Sequence, residues 1–166
     1  METELRAGVD YIGVSTPFYC TDSRGNMFMT KRSDKCRDEH FRWDFGSGQV
    51  EFGEQLEEAV LRELKEEYGC EGKIVMQLPA HSIPRVWDGK KTHWVACPFL
   101  IVVRPQDIQI MEPEKVVEHG WFPFDSLPEP LHSGVQQTLK KVENQLRLAL
   151  QLSEGEPFRQ YVGDVL

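Results

Sequence analysis

The sequence predicts an α/β (α+β) fold, a mixed β-sheet with helices on both faces. Three observations carry this expectation. Runs of β-branched and aromatic residues lie on either side of an amphipathic helical stretch within residues 48–70. A longer amphipathic stretch follows at residues 131–152. Strand runs interleaved with helices bury their apolar faces best as layers around a sheet. A length of 166 residues suits a single domain, 1–166, with a core over about residues 9–152 and a tail at 153–166.

Taken in order, residues 1–8 are a short polar lead. Residues 9–20 (VDYIGVSTPFYC) read as a strand in which Pro17 marks an edge, bulge or end. Residues 22–26 make a turn and residues 27–32 (MFMTKR) a second strand, hairpinned on the first. A polar loop at 33–40 and Trp43 lead to a glycine turn, Gly46-Ser47-Gly48. In the helix that follows, Leu56, Ala59, Val60 and Leu64 share one sector, Glu57, Glu58 and Lys65 point away, and Gly69 supplies a left-handed end. Residues 72–83 and 92–103 are two strands joined through Asp88-Gly89, a strong hairpin signal. A polar loop (RPQDIQIMEPEK), a strand at 116–124 and a turn at 126–130 precede the last helix, with Leu139, Val142, Leu146 and Leu150 on its stripe.

Composition narrows the function. Net charge is −8, which argues against holding a nucleic-acid backbone by electrostatics, although a bound cation can invert the field locally and admit a phosphate substrate. No apolar run approaches a membrane span, and the N-terminus has neither an apolar nor an arginine-rich amphipathic leader. Cys20, Cys36, Cys70 and Cys97 lack metal or redox spacing and read as reduced thiols. The expectation is a cytoplasmic protein without membrane or nucleic-acid partners, a monomer or homodimer.

Glu63, Glu66 and Glu67 break the pattern of an ordinary surface helix. At about 100° per residue, Glu63 and Glu67 fall within roughly 20° of Leu56, and Glu66 lies on the Ala59 edge. A solvated Glu/Lys helix is the common explanation of such a string, but these carboxylates sit on the inward sector. Like charges held there are costly unless a cation joins them, and an oxygen-rich site suits Mg²⁺ or Mn²⁺.

The stretch G-x5-E-x7-R-E-L-x-E-E-x-G-C, from Gly48 through Glu54, Arg62, Glu63, Glu66, Glu67 and Gly69 to Cys70, resembles the signature of the Nudix hydrolases. Two departures are mild: Cys70 stands where an aliphatic residue is usual, and Gly46-Ser47-Gly48 where Pro-Gly-Gly is common. The resemblance implies an α/β/α sandwich and hydrolysis of a nucleoside diphosphate linked to another group, X. It implies metal ligation by Glu66 and Glu67, with Glu63 either binding metal or activating water. It also implies an Arg62–Glu54 brace and the Gly48 carbonyl as a further ligand. One more ligand is expected downstream from Glu112, Glu114 or Glu118, with Glu114 favoured; a solvated acidic loop is the plain alternative.

Arg32, ending its strand near the motif, is a candidate to grip phosphate oxygens, ahead of Arg42. Trp94, Trp121 and Phe122 could stack on a base, although interior packing is the weightier reading for all three. His81, His93 and His119 read as ordinary. The segment MEPEKVVEHGWFPFDSLPEPL looks like the MutT-type branch, which implies a nucleoside triphosphate, including oxidised forms, cleaved to monophosphate and pyrophosphate. Pro84, fourteen residues beyond Cys70, keeps ADP-ribose or a nucleotide sugar as the alternative. A nucleotide-sensing module without turnover is the alternative of another class.

Overall fold

The computed structural model describes residues 4–154. The expected tail lies outside the described residues from 155 onward. Among the described residues, nine strands form one mixed sheet: β1 (Gly13–Thr21), β2 (Asn26–Arg32), β3 (Trp43–Asp44), β4 (Gly46–Gln49), β5 (Lys73–Gln77), β6 (His81–Trp87), β7 (Lys90–Ala96), β8 (Phe99–Val102) and β9 (Val116–Pro123). Two helices cover it, α1 (Leu56–Tyr68) and α2 (Ser133–Ser153).

β1 is the spine. Along one edge it pairs antiparallel with β4 over Ser15–Phe18 and with β2 at Thr21. Along the other it runs parallel to β7 and then β8. Because alternate side chains of a strand face opposite ways, β1 feeds two cores. Phe18 and Cys20 join Phe28, Phe99, Ile101, Val60 and Leu64 beneath α1. Tyr19 joins Met27, Met29, Leu100, Val142 and Leu146 beneath α2. The sheet therefore carries a helix on each face, as the sequence predicts.

Four expectations need correction. The first strand starts at Gly13 rather than residue 9. The preceding residues turn instead, with the amides of Val9 and Asp10 bonded to the Arg6 carbonyl at 3.2 and 2.9 Å, and Val9, Tyr11 and Ile12 are exposed. Each of the strands expected at 72–83 and 92–103 is two. Pro79 and Pro98 lie at the breaks, where a missing amide interrupts a ladder, and the Leu78 amide bonds to the Pro98 carbonyl at 2.8 Å. The expected glycine turn is strand β4. The last helix begins at Ser133, two residues late, with the His132 ring accepting from the Gly134 amide at 3.1 Å. The Asp88-Gly89 turn between β6 and β7 has positive φ at both residues (49° and 73°), the type I′ geometry this dipeptide favours.

Candidate active site

α1 is positioned at both ends. The Gln55 amide donates to the Glu58 carboxylate at 3.0 Å at the start. Gly69 adopts φ 60° at the end and returns its amide to the Lys65 carbonyl at 2.9 Å. Burial of Ala59, Val60 and Leu64 fixes the rotation about the helix axis and turns Glu63 and Glu67 toward β4. Glu66, on the edge of the sector, stays exposed rather than facing inward.

Arg62 ties these groups together. Its Nε and Nη2 grip Glu54 at 2.6 and 2.9 Å, its Nη1 donates to Glu63 at 2.8 Å and to Glu66 at 3.2 Å, and Nη2 reaches the Gln49 carbonyl at 3.1 Å. Its bond pulls the Glu54 carboxyl down to about 2. Burial pushes Glu63 up against the pull of Arg62. Glu67 is raised most, first by burial and then by the charges of Glu63, Asp44 and Glu112, while the Ser47 amide pulls the other way. A carboxylate among three others is poised either to hold a proton or to share a cation. The donor set is oxygen throughout, which suits a hard divalent ion rather than a soft one. Gly48 leaves the space in which the Glu63 carboxylate stands.

Two adjoining clefts open beside this centre. The first, about 280 Å³, runs between Trp94, Tyr19, Val135 and Thr138 and the β4 backbone from Gly46 to Gln49. The second, about 320 Å³, is lined by Glu67, Glu112, Tyr68, Thr30, Lys35 and Lys115. Arg32, Arg37, Asp44, Phe45 and Ser47 form the wall they share. Together they match the hundreds of cubic ångströms usual for a small-molecule site.

Glu112 therefore lines the cleft, whereas Glu114 is exposed and contributes its backbone carbonyl to the Ser33 hydroxyl at 2.6 Å. Glu118 lies 3.7 Å from Lys31. Arg32 lines both clefts, but its donors are taken by Asp38 Oδ1 (2.9 Å), Asp44 Oδ2 (3.2 Å) and the Asp38 carbonyl (3.1 Å). Arg42 donates to the Leu131 carbonyl at 3.0 Å and lines neither cleft. Trp94 faces the first cleft and also covers Gly8 and Gly13. Trp121 packs on Phe28, ring centroids 5.3 Å apart, and lines neither cleft.

Sequence reasoning missed a buried charge network at the base of the shared wall. Glu39, fully buried at φ 46°, accepts from the Ser133 amide (2.8 Å), the Ser133 hydroxyl (2.6 Å) and Arg85. Asp38 accepts from Arg85 at 3.1 Å and from Arg32. Burial raises both carboxyls. It is outweighed at Asp38 by His132, Arg85 and Arg32, and at Glu39 by Ser133, His132 and Arg85, so both lie below the usual range. Asp38, Glu39 and His132 place ligand-type atoms within 4.8 Å of one another, but two guanidiniums already balance their charge. The one available signal was the acidic pair in an otherwise basic loop.

The NUDIX domain family matches residues 12–142. The chain is 31% identical over 134 residues to an RNA pyrophosphohydrolase of Wolbachia pipientis subsp. Culex pipiens, covering 73% of this chain and 80% of the relative. It is 29% identical over 113 residues to the putative mutator protein MutT4 of Mycobacterium tuberculosis, covering 68% of this chain and 45% of that one. A MutT NUDIX hydrolase from Burkholderia pseudomallei superposes with a TM-score of 0.63 at 26% identity, over 78% of this chain and 97% of the other. An ADP-ribose pyrophosphatase from Streptococcus suis, 20% identical, shares the fold with a TM-score of 0.53 over 87% of this chain and 93% of its own. With Glu63 and Glu67 turned onto β4 and the family match spanning the whole sheet, α1 and the first half of α2, this chain belongs to the Nudix hydrolases, enzymes that cleave pyrophosphate bonds.

Proposed function

We propose that this protein hydrolyses a nucleoside 5′-triphosphate to the monophosphate and pyrophosphate, using Mg²⁺ or Mn²⁺. The observation that carries this reading is the half-buried Glu67 carboxylate, which lines the second cleft and feels the charges of Glu63, Asp44 and Glu112. The first cleft, with Trp94 and Tyr19 on its walls, takes the nucleoside; the second takes phosphate.

Glu67, Glu63 and Glu112 would hold the ion, with Glu66 at the rim. When bound, the ion supplies neutralisation of phosphate charge and a more acidic water. Arg62 orients Glu63 through the 2.8 Å bond and keeps the motif loop closed on the helix through Glu54. Glu63, raised by burial and 14% exposed, is placed to accept the proton of the attacking water. The Gly46–Gln49 backbone, paired with β1, forms a side of the first cleft against which a substrate would lie.

A triphosphorylated RNA 5′ end is the second reading, favoured by the relatives named RNA pyrophosphohydrolase and opposed by the net charge of −8. The test is a panel of canonical and oxidised nucleoside triphosphates, ADP-ribose, nucleotide sugars, diadenosine polyphosphates and a 5′-triphosphate RNA, each with Mg²⁺. Metal-dependent pyrophosphate release from free triphosphates, abolished in Glu67→Gln, is expected. Turnover confined to RNA, or to ADP-ribose with no pyrophosphate released, would overturn the substrate assignment. Intact nucleotide binding without turnover would replace the enzyme by a sensor.

A further inference from the structure

The turn over residues 6–11 is held firmly, yet the core does not hold it. Val9, Tyr11 and Ile12 are exposed, so burial of their side chains contributes little. The fastening is polar. The Val9 and Asp10 amides bond to the Arg6 carbonyl, the Arg6 amide donates to Asp10 Oδ2 at 2.8 Å, and the Gly8 amide donates to the Tyr11 carbonyl at 2.7 Å. From β7 the His93 amide donates to the Gly8 carbonyl at 2.8 Å and ties the turn to the sheet. Gly8 has φ 77°, a left-handed value that a residue with a side chain seldom adopts.

What the turn packs on is Trp94. In β7 this residue stands between Gly13 of β1 and Ile83 of β6, its register partners on the two sides. Cross-strand partners carry their side chains on one face of a sheet, and Gly13 has none, so the indole leans over it. A Cβ on Gly13 would stand 2.5 Å from Cζ3 and 2.6 Å from Cε3 of the ring. A Cβ on Gly8 would overlap Cε2 and Nε1, across the ring from those atoms. Two glycine backbones thus support the indole across its width. Trp94 also lines the first cleft, together with Ile83, Gly134 and Val135. A ring seated in this way loses little further freedom when a ligand arrives, so its contact energy is retained as affinity.

We propose that the turn over residues 6–11 is a positioning element for nucleoside recognition, in which Gly8 and Gly13 seat the Trp94 indole so that a planar base stacks on it in the first cleft. Trp94 touches the base, and the two glycines act only through the indole. The inference rests on the reading of the first cleft as the nucleoside site. It adds that the base itself contributes to binding, beyond ribose and phosphate.

The probes are the common nucleoside 5′-monophosphates and ribose 5-phosphate, which lacks the base. Each is titrated with Mg²⁺ present into the wild type, Trp94→Leu, Gly13→Ala, Gly8→Ala and Trp94→Leu/Gly13→Ala. Stacking of a base on an aromatic side chain is worth roughly fivefold to a hundredfold in affinity. The wild type should prefer at least one nucleotide over ribose 5-phosphate by a factor in that range, and Trp94→Leu should lose the preference. Gly13→Ala, and Gly8→Ala if it folds, should shrink the preference while binding ribose 5-phosphate as the wild type does. Adding Gly13→Ala to Trp94→Leu should then cost nothing more, whereas general loosening of the fold would weaken both ligands in both backgrounds. In turnover the loss in Gly13→Ala should fall on KM more than on kcat. No preference for any nucleotide in the wild type would overturn the proposal. So would a preference that survives Trp94→Leu or one that is unchanged in Gly13→Ala. Metal-dependent hydrolysis of a nucleoside triphosphate by a protein without this preference would sink the platform and keep the hydrolase. A preference carried by Trp94 in a protein that turns nothing over would do the reverse.

Discussion

Gly46 and Gly48 point the same way from β4, yet substituting each should damage a different property. A Cβ built on Gly48 falls 1.7 Å from the Glu63 Cδ and 2.1 Å from both carboxylate oxygens. Ordinary carbon contacts begin near about 3.5 Å, so the carboxylate must retreat by roughly 2 Å. It can, because it ends a flexible side chain, but it then leaves the Arg62 Nη1 that holds it at 2.8 Å. Misplacing a catalytic group by about 1 Å is commonly a ~10²-fold loss. Gly48→Ala should therefore lower kcat by at least about 10²-fold with little change in melting temperature. A Cβ on Gly46 instead falls 2.0 Å from the Phe18 ring, which is 0% exposed and packed edge-on to Tyr68, with no room to move. Overpacking of that kind costs about 1–3 kcal/mol, and each kcal/mol lowers the melting temperature of a chain this size by about 2–4 °C. Steady-state kinetics across a Mg²⁺ series and thermal melts of both variants are the assay. Gly48→Ala turning over within about threefold of wild type would refute the placement of Glu63 at the reacting centre, and so would equal destabilisation by the two substitutions.

The buried network should dominate the stability of the loop over 33–41. Arg85→Met strands Glu39 without its main counter-charge and should cost about 3–5 kcal/mol in urea unfolding, with part of the loss recovered in Arg85→Met/Glu39→Leu; a cost under about 1 kcal/mol would mean the pair is not coupled to folding. Because Asp38 and Glu39 are depressed in the folded state, their contribution is complete above the unfolded values near about 4 and is lost as pH falls through the lower folded ones. Urea midpoints should accordingly begin to drop below about pH 5 and keep falling below about pH 3, and less steeply in Asp38→Asn. Glu112→Gln should shrink the thermal upshift produced by Mg²⁺, and Glu114→Gln should leave it intact; equal effects would return the downstream ligand to the open.

What local periodicity governs was legible beforehand. Leu56 to Leu64 set the buried face of α1, and the same arithmetic turns Glu63 and Glu67 toward β4. Glu66 shows the limit of that arithmetic, since a residue some 80° from the stripe can lie on either side of the solvent boundary. Pro79 and Pro98 were visible too, but an apolar run continues through each, and only the pairing of β5 with β8 and of β6 with β7 makes them breaks. Glu112 and Glu114 differ by the Pro113–Lys115 turn, which sends one carboxylate into the cleft and the other to solvent while its carbonyl holds Ser33. Glu39 finds Arg85 46 residues away and Ser133 94 residues away, and no pattern within the loop encodes either partner. Arg32 is hidden from local pattern for the same reason: it lines both clefts, but only the fold shows that Asp38 and Asp44 hold its guanidinium. That closure leaves Arg37 and Lys35 as the less committed cations beside the second cleft. The site is thus read in two parts, with the motif carboxylates specified by one helix and the cations lining the clefts specified only by what the tertiary fold has already neutralised.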